Sequence, residues 1–198
     1  MTGYPVDALL VVNVQNSFCH PDGAMYEPAR PPLHDVEHVL QNIAAALAAA
    51  RAAYTPVCFV RQCFQPGYAD FGHRMPRLRD QLAMRGGLLA GSWDADFVDE
   101  VSPNPADLVI DACRADAFYN TPMESLLRSM AVRRLAVVGV TTNGAVETTA
   151  RSAALRDFDV TVLADCTTSR TAQDRDTSLE LLAAYEIADV ALASPDLF

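Results

Sequence analysis

The stretch "ALLVVNVQNSF", residues 8–18, decides the fold of this chain. Its first five residues are all apolar, which is typical of a strand buried on both faces of a parallel sheet. We predict a strand over residues 8–14 that runs into a polar turn. Asn13 stands where this strand leaves the sheet, so its amide is the first candidate for a functional side chain.

Apolar runs and helical patterns alternate along the rest of the chain. Further strands are predicted over residues 57–61, 108–111, 135–140, 160–164 and 188–192. Helices are predicted over residues 36–53, 121–130, 144–156 and 171–185. The alternation predicts an α/β fold: a Rossmann-like, doubly wound, mainly parallel six-stranded sheet with helices on both faces. We expect a single domain over residues 1–198, with a mostly irregular lid, binding loop or oligomer contact over residues 63–107.

The composition limits the classes of function. A net charge of -10 without any lysine argues against a surface for nucleic acids or anionic membranes, because both need basic patches. No apolar run reaches the roughly 18 residues of a spanning helix. The start, MTGYPVD, lacks the pattern of a signal peptide, so we expect a cytoplasmic protein. The five cysteines form no CxxC pair and the four histidines lack paired carboxylates, so we expect no metal and no cofactor.

Three stretches resemble the motifs of one family: "ALLVVNVQNSFCHPDGAM" from residue 8, "DLVIDACRADAFYNT" from residue 107 and "GVTTNGAVETTARSA" from residue 139. By these motifs the chain resembles the isochorismatase-like cysteine hydrolases. It is most similar to their ureidoacrylate, N-carbamoylsarcosine and biuret amidohydrolase branch. The resemblance implies a small-molecule ligand and a homodimer or homotetramer. It also implies a non-proline cis peptide at Val140–Thr141, with the amides of Thr141 and Ala145 directed into the pocket.

The resemblance also exposes three replacements. The family's usual motifs, similar to VVDMQNDF, VIDKxRYSAFYGT and GVTTNVCVESTARDA, supply an aspartate base, a lysine and a cysteine nucleophile. This chain has Asn13, Ala112 and Ala145 at those positions. An alanine methyl has no lone pair to attack an amide carbon, and an asparagine amide does not exchange protons near neutral pH. We therefore expect no acyl-thioester chemistry. The isochorismate-cleaving members of the family dispense with the cysteine but keep the aspartate, so their route is closed as well.

Two polar residues near the vacated positions are candidate replacements. Asp116 and Cys113 are predicted to be a relocated acid, base or nucleophile. The alternatives are a solvated loop carboxylate or a helix cap for Asp116, and a small buried filler for Cys113. His20, in the CHPDG turn, is interpreted as a turn-stabilising or exposed residue rather than a proton shuttle.

The former triad edge is also predicted to bind a small carbonyl or carboxylate compound. Arg61 ends the second strand, where it is predicted to clamp a carboxylate or to form a structural ion pair. Phe18 and Phe118, with Tyr68 and Trp93, are predicted to be aromatic walls, or alternatively core residues. The full ligand-binding prediction covers Asn13, Phe18, Arg61, Phe118, Thr141, Gly144 and Ala145.

Three functions stay open at this point. The first is a repurposed enzyme that performs isomerisation, elimination, cyclisation or decarboxylation on a small metabolite, as in a biosynthetic pathway. The second is a catalytically inactive protein that acts as a ligand sensor or as a subunit of a partner. The third is a hydrolase with a relocated triad built on Cys113 and Asp116.

Overall fold

A six-stranded parallel sheet forms the centre of the molecule. The structure is a computed structural model and describes residues 5–26 and 31–198. The strands are β1 Ala8–Val12, β2 Val57–Gln62, β3 Leu108–Ala112, β4 Arg134–Val140, β5 Asp159–Thr168 and β6 Asp189–Ala191. Their order is β3-β2-β1-β4-β5-β6, and every pair of neighbours is parallel. The predicted α/β fold with a six-stranded parallel sheet is confirmed.

Helices cover both faces of this sheet. They are α1 Asn16–Cys19, α2 Val36–Ala52, α3 Pro76–Arg85, α4 Met123–Ser129, α5 Glu147–Ala154 and α6 Ala172–Ala184. One face, here called the α2 face, packs against α2 through residues such as Ile43 and Leu47. The opposite face, here called the α5 face, packs against α4, α5 and α6 through Leu127, Ala150 and Leu182. Within residues 5–26 and 31–198, no helix combines the length and the apolar character that crossing a bilayer requires.

The apolar run of β1 follows from this two-sided cover. Leu10 and Val12 belong to the core of the α5 face, whereas Leu9 and Val11 belong to the core of the α2 face. Successive side chains of a strand point to opposite faces, so a central strand needs apolar residues at every position when both faces are buried.

Several predicted boundaries are wrong, each for a local reason. β1 ends at Val12 instead of residue 14, because Asn13 adopts a left-handed conformation with φ 54°. β5 continues to Thr168 instead of residue 164, across a register shift between Val137 and Gly139 of β4. The predicted helix over residues 144–156 is instead a π-helical turn, Thr142–Val146, followed by α5.

The interval over residues 63–107 is more regular than predicted. It contains α3 and three short 3-10 turns, Pro66–Tyr68, Trp93–Ala95 and Asp99–Val101. The chain marks the start of α3 with a proline in its first turn and the end with Gly86 in the left-handed conformation. Both are recognised helix boundary signals.

The backbones of β1 and β4 approach each other closely at Gly139. A Cβ atom added at Gly139 of β4 would lie 2.0 Å from the carbonyl oxygen of Val12, and Gly139 has a φ of +126°. Both features require glycine at this position. The close approach joins the ends of the two strands between which the sheet reverses its order.

Candidate functional site

The three residues that the resemblance places at the family's triad positions lie at the carboxyl-terminal edge of the sheet. Asn13 follows β1, Ala112 ends β3 and Ala145 lies in the turn after β4. The backbone N–H of Asn13 donates to the carbonyl of Val60 in β2 (2.8 Å). Asn13 therefore lies beside β2, the strand between β1 and β3. Open α/β sheets bind ligands at this edge, where the strand order reverses.

Ala112 and Ala145 share one apolar environment. They are 1% and 4% exposed, and both belong to the core cluster of the α5 face, together with Ala117, Phe118 and Val146. β3 is two strands away from β1, which is about 10 Å across the sheet at the usual strand spacing. A methyl group at residue 112 cannot span that distance, so Ala112 makes no polar link to Asn13.

Asn13 is the member of this trio with a polar side chain. It is 3% exposed, and no hydrogen bond with another described residue reaches its side chain. Gln15, two residues later, contrasts with it. Its Nε2 donates to the carbonyls of Gln62 (2.9 Å) and Ala95 (2.8 Å), and its Oε1 accepts from the backbone N–H of Gln62 (2.8 Å). The Gln15 amide therefore ties β2 to the loop before β3, while the Asn13 amide keeps its donors and acceptor for another partner.

The turn after β4 has the predicted backbone. The Val140–Thr141 peptide is cis, which confirms the expectation drawn from the resemblance. Hydroxyl groups hold the turn against the end of β5. Thr142 Oγ1 lies 2.9 Å from Thr167 Oγ1, which donates in turn to the carbonyl of Gly139 (2.8 Å).

Residues 143 and 144 extend this fixed geometry. Ser169 Oγ donates to Asn143 Oδ1 (2.9 Å). A Cβ atom at Gly144 would lie 2.5 Å from Thr141 Oγ1, so this position accepts only glycine without a shift of that hydroxyl. The turn is therefore a rigid backbone frame beside Asn13.

Asp116 makes structural contacts. Its Oδ1 accepts from the backbone N–H of Phe118 (2.8 Å), and its Oδ2 accepts from the hydroxyl of Ser152 in α5 (2.9 Å). Arg156 donates to the same hydroxyl (2.7 Å). Ser152 is seven residues after Ala145, which is about 10 Å along a helix axis. These contacts support the loop-carboxylate alternative, and a catalytic role of Asp116 stays a prediction.

Cys113 faces away from the cluster that holds its neighbour Ala112. It packs at the border of a third apolar cluster, built around Phe64 and Leu82 and joined by Phe18. This placement supports the interpretation of Cys113 as a packing residue, and a role as nucleophile stays a prediction.

The fully buried thiols are poor nucleophiles. Burial, with a smaller contribution from the charge of Asp107, raises the pKa of Cys58 to about 12. Burial also raises the pKa of Cys166 far above its ordinary value. Because the thiolate is the reactive form, neither residue supplies a replacement nucleophile at neutral pH.

Arg61 is engaged by two carboxylates. Its Nε donates to Asp111 Oδ1 (2.5 Å), and its Nη1 donates to Asp96 Oδ1 (3.3 Å). The hydrogen bond that Arg61 donates to Asp111 raises the pKa of Arg61 above its ordinary value, against the effect of desolvation. These contacts support the interpretation of Arg61 as part of a structural ion pair. Its predicted role as a clamp for a ligand carboxylate stays a prediction.

The predicted aromatic residues separate into different environments. Phe118 is buried in the α5 face core, with its ring 5.9 Å from that of Phe158. Tyr68 is buried and donates its hydroxyl to the carbonyl of Gly87 (2.7 Å). Trp93 is half exposed and stands edge-on to His20, with 5.0 Å between the ring centres. Phe18 and Trp93 line one cavity, which neither Phe118 nor Tyr68 lines, so the four predicted rings do not surround one ligand.

His20 has the turn contact that the sequence suggested. Its Nδ1 accepts from the backbone N–H of Asp22 (3.1 Å). Among the described residues, no group of three histidine, cysteine or carboxylate side chains comes close enough to hold a metal ion.

The residues that hold the segment after β3 could not be predicted from sequence. Thr149 of α5 accepts from the backbone N–H of Ala117 (3.2 Å), and Ser152 binds Asp116 as described. In each pair the two residues are more than 30 positions apart in the sequence, and no local sequence pattern predicts such pairings.

Comparison with known proteins agrees with this architecture. The model of the isochorismatase domain matches residues 7–193. A cysteine hydrolase from Pseudomonas syringae pv. phaseolicola 1448A is 26% identical with a TM-score of 0.82, covering 98% of this chain and 95% of its own. An isochorismatase family protein from Desulfovibrio vulgaris subsp. vulgaris str. Hildenborough is 27% identical with a TM-score of 0.81, covering 95% of each chain.

A more distant structure shares the fold. The N-carbamoylsarcosine amidase from Thermoplasma acidophilum is 20% identical with a TM-score of 0.73, over 94% of this chain and 96% of its own. Since the family model spans nearly the whole sequence and the sheet carries the same architecture, this chain belongs to the isochorismatase domain family.

Proposed function

We propose that this protein is a family member without cysteine-hydrolase activity, which binds a small carbonyl or carboxylate metabolite at the turn after β4. The observation that carries the proposal is the shared apolar environment of Ala112 and Ala145, which are buried in one cluster. Two of the three positions that would supply chemistry in a cysteine hydrolase carry only methyl groups here.

The third position completes the loss of reactivity. Asn13 is close in shape to aspartate, but an amide cannot accept a proton from a nucleophile near neutral pH. A thiol hydrolase needs both an attacking sulfur and a base that activates it. We therefore infer that a bound amide or carbamoyl compound is retained without cleavage.

The absence of charge at both Asn13 and Ala112 is consistent with a stable fold. A buried charge whose partner is removed typically destabilises a protein by about 3–5 kcal/mol. Replacing an aspartate and a lysine together by Asn13 and Ala112 avoids that penalty. The neutral edge is therefore compatible with a stable fold.

Binding is supported by what is retained at the edge. The turn at Val140–Val146 is held by the hydroxyls of Thr142 and Thr167, and the buried Asn13 amide has no partner among the described residues. Rigid backbone donors at such a turn suit a carbonyl or carboxylate oxygen. An amide that can both donate and accept would orient the remainder of the ligand.

A second candidate function is a non-hydrolytic enzyme for isomerisation, elimination, cyclisation or decarboxylation. The unpartnered Asn13 amide favours it, because a buried amide can polarise a substrate carbonyl. The substrate itself would have to supply the proton-transfer group, since Asp116 is held by Phe118 and Ser152. A hydrolase with a relocated triad has less support, because Asp116 binds Phe118 and Ser152 whereas Cys113 packs against the cluster around Phe64.

We also propose, from the resemblance alone, that the chain forms a homodimer or homotetramer. Sedimentation velocity on the full chain tests this directly. A single species at the monomer mass would contradict it.

Ligand binding is tested by thermal unfolding of the full chain against a panel of small carboxylates, ketones, amides and carbamoyl amino acids. A ligand at 100 times its dissociation constant stabilises by about 2.7 kcal/mol, or roughly 5–10 °C for a chain of this size. Asn13→Ala should remove the shift. Asn120→Ala is the matched control, because Asn120 is exposed and has a similar φ of 57°. Equal shifts in both variants, or no shift with any compound, would overturn the proposal.

A further inference from the structure

A large cavity lies on the α2 face, on the other side of the sheet from Ala112 and Ala145. Its volume is about 670 Å³, which is within the usual range for small-molecule sites. Val98 and Leu40, two of its buried lining residues, belong to the α2 face core. None of Asn13, Ala112 and Ala145 lines it, so the cavity is separate from the former triad edge.

Aromatic rings form one wall of this cavity. Phe18, Tyr26 and Trp93 all line it. Asn16, which is buried, donates its amide to the carbonyl of Trp93 (2.8 Å) and thereby holds that residue in place. Trp93 is 50% exposed, and a large ring this open in a cleft has a free face for a ligand.

Carboxylates form the rim. Asp35 and Glu37 stand at the start of α2, and Asp99 and Glu100 begin the 3-10 turn opposite. In the ranges that the structure describes, none of the four carboxylates accepts a hydrogen bond or forms an ion pair. Cys19 also lines the cavity. Burial, with a smaller contribution from the charge of Glu100, raises the pKa of the Cys19 thiol to about 12.

This combination favours a positively charged organic ligand. A cleft lined by charges of one sign concentrates ions of the other sign, and an aromatic face attracts an ammonium group within about 6 Å. Among the described residues, no three of these carboxylates come together in the manner of a metal site. The volume of the cavity suits a ligand larger than a metal ion.

We propose that the cavity binds a small organic cation, a quaternary ammonium or alkylammonium compound, with its alkyl groups against Trp93 and its charge toward Glu37 and Glu100. The site is independent of the proposed function of the turn after β4. Ligands of the two sites can be titrated separately.

Trp93 is the single tryptophan of the chain, so its fluorescence reports on the cavity directly. Choline titrated into the full chain should give a saturable change in emission. Its uncharged isostere, 3,3-dimethylbutan-1-ol, should bind at least about tenfold more weakly. Equal affinities for the two compounds, or no saturable change with choline, would overturn the proposal. Competition by Mg²⁺ at micromolar concentration would also overturn it, because it would indicate a metal site.

Variants assign the binding to the rim. The double variant Glu37→Gln, Glu100→Gln keeps Trp93 and changes only exposed side chains, so it should fold normally and lose affinity for choline at least about tenfold. Glu180→Gln, an exposed carboxylate on α6, removes a charge outside the cavity and should bind choline as the wild type does. An unchanged affinity in the double variant, or the same loss in the control, would contradict the assignment.

Discussion

Replacing Asn13 by aspartate places a carboxylate at the end of β1, where no lysine is present to pair with it. Asn13 is 3% exposed, no described residue hydrogen-bonds its side chain, and the position two strands away holds Ala112. Arg61, near the end of β2 at this edge, is already bound to Asp111 and Asp96. The new carboxylate would thus be buried and unpaired.

The expected cost is about 3–5 kcal/mol at pH 8, the usual effect of an uncompensated buried charge. A cost of about 3 kcal/mol corresponds to a carboxyl pKa raised by about two units. A raised pKa in the folded state means that the penalty is absent below about pH 4, where the carboxyl is protonated in both states. It grows as the pH rises toward the folded-state pKa and is constant above it.

Urea unfolding at pH 4.5 and pH 8 measures this penalty. Asn120→Asp is the matched control, since Asn120 is exposed and has nearly the same backbone conformation as Asn13, and it should change stability by less than about 0.5 kcal/mol. Adding Ala112→Lys to Asn13→Asp should recover at least about 2 kcal/mol in a double-mutant cycle. An Asn13→Asp variant as stable as the wild type at pH 8 would refute the reasoning.

Further predictions concern the frame of the site. Gly139→Ala should destabilise by more than about 3 kcal/mol in urea unfolding, because its Cβ would overlap the end of β1 at a φ of +126°; a loss below about 1 kcal/mol would contradict the close approach. Ser152→Ala should cost about 1–2 kcal/mol by removing the hydroxyl between Asp116 and Arg156, without changing ligand-induced thermal shifts. The hydrogen bond from Arg134 lowers the pKa of Asp7, so its stabilisation is present above about pH 4 and is lost as the pH falls through the lower folded-state pKa; Asp7→Asn should flatten acid unfolding in that window.

The sheet could be predicted because its signals are local. The unbroken apolar run of β1 and the alternation with helical patterns sufficed for a parallel sheet covered on both faces. The end of β1 was misplaced because Val14 looks like a strand residue, whereas the left-handed conformation of Asn13 turns the chain. α3 was missed although Pro76 and Gly86 mark its ends, because its sequence is too polar to show an apolar face.

The site was only partly predictable for a different reason. The positions of Asn13, Ala112 and Ala145 follow from where strands end, and parallel strands bring those ends to one edge. The partners of Asp116 and Arg61 depend on tertiary pairings across 35–50 residues, which leave no trace in local sequence. The cavity on the α2 face was not predicted either, because its lining residues Trp93 and Glu37 are far apart in the sequence.

The most direct test of the central claim is turnover by the purified full chain with ureidoacrylate, biuret and N-carbamoyl amino acids, read as ammonia release and as the intact mass of the protein. The proposed loss of the base, the cation and the sulfur predicts no ammonia above the uncatalysed background and no acyl adduct on any cysteine. Ammonia release at a rate typical of cysteine amidohydrolases, or an adduct on Cys113 during turnover, would contradict it.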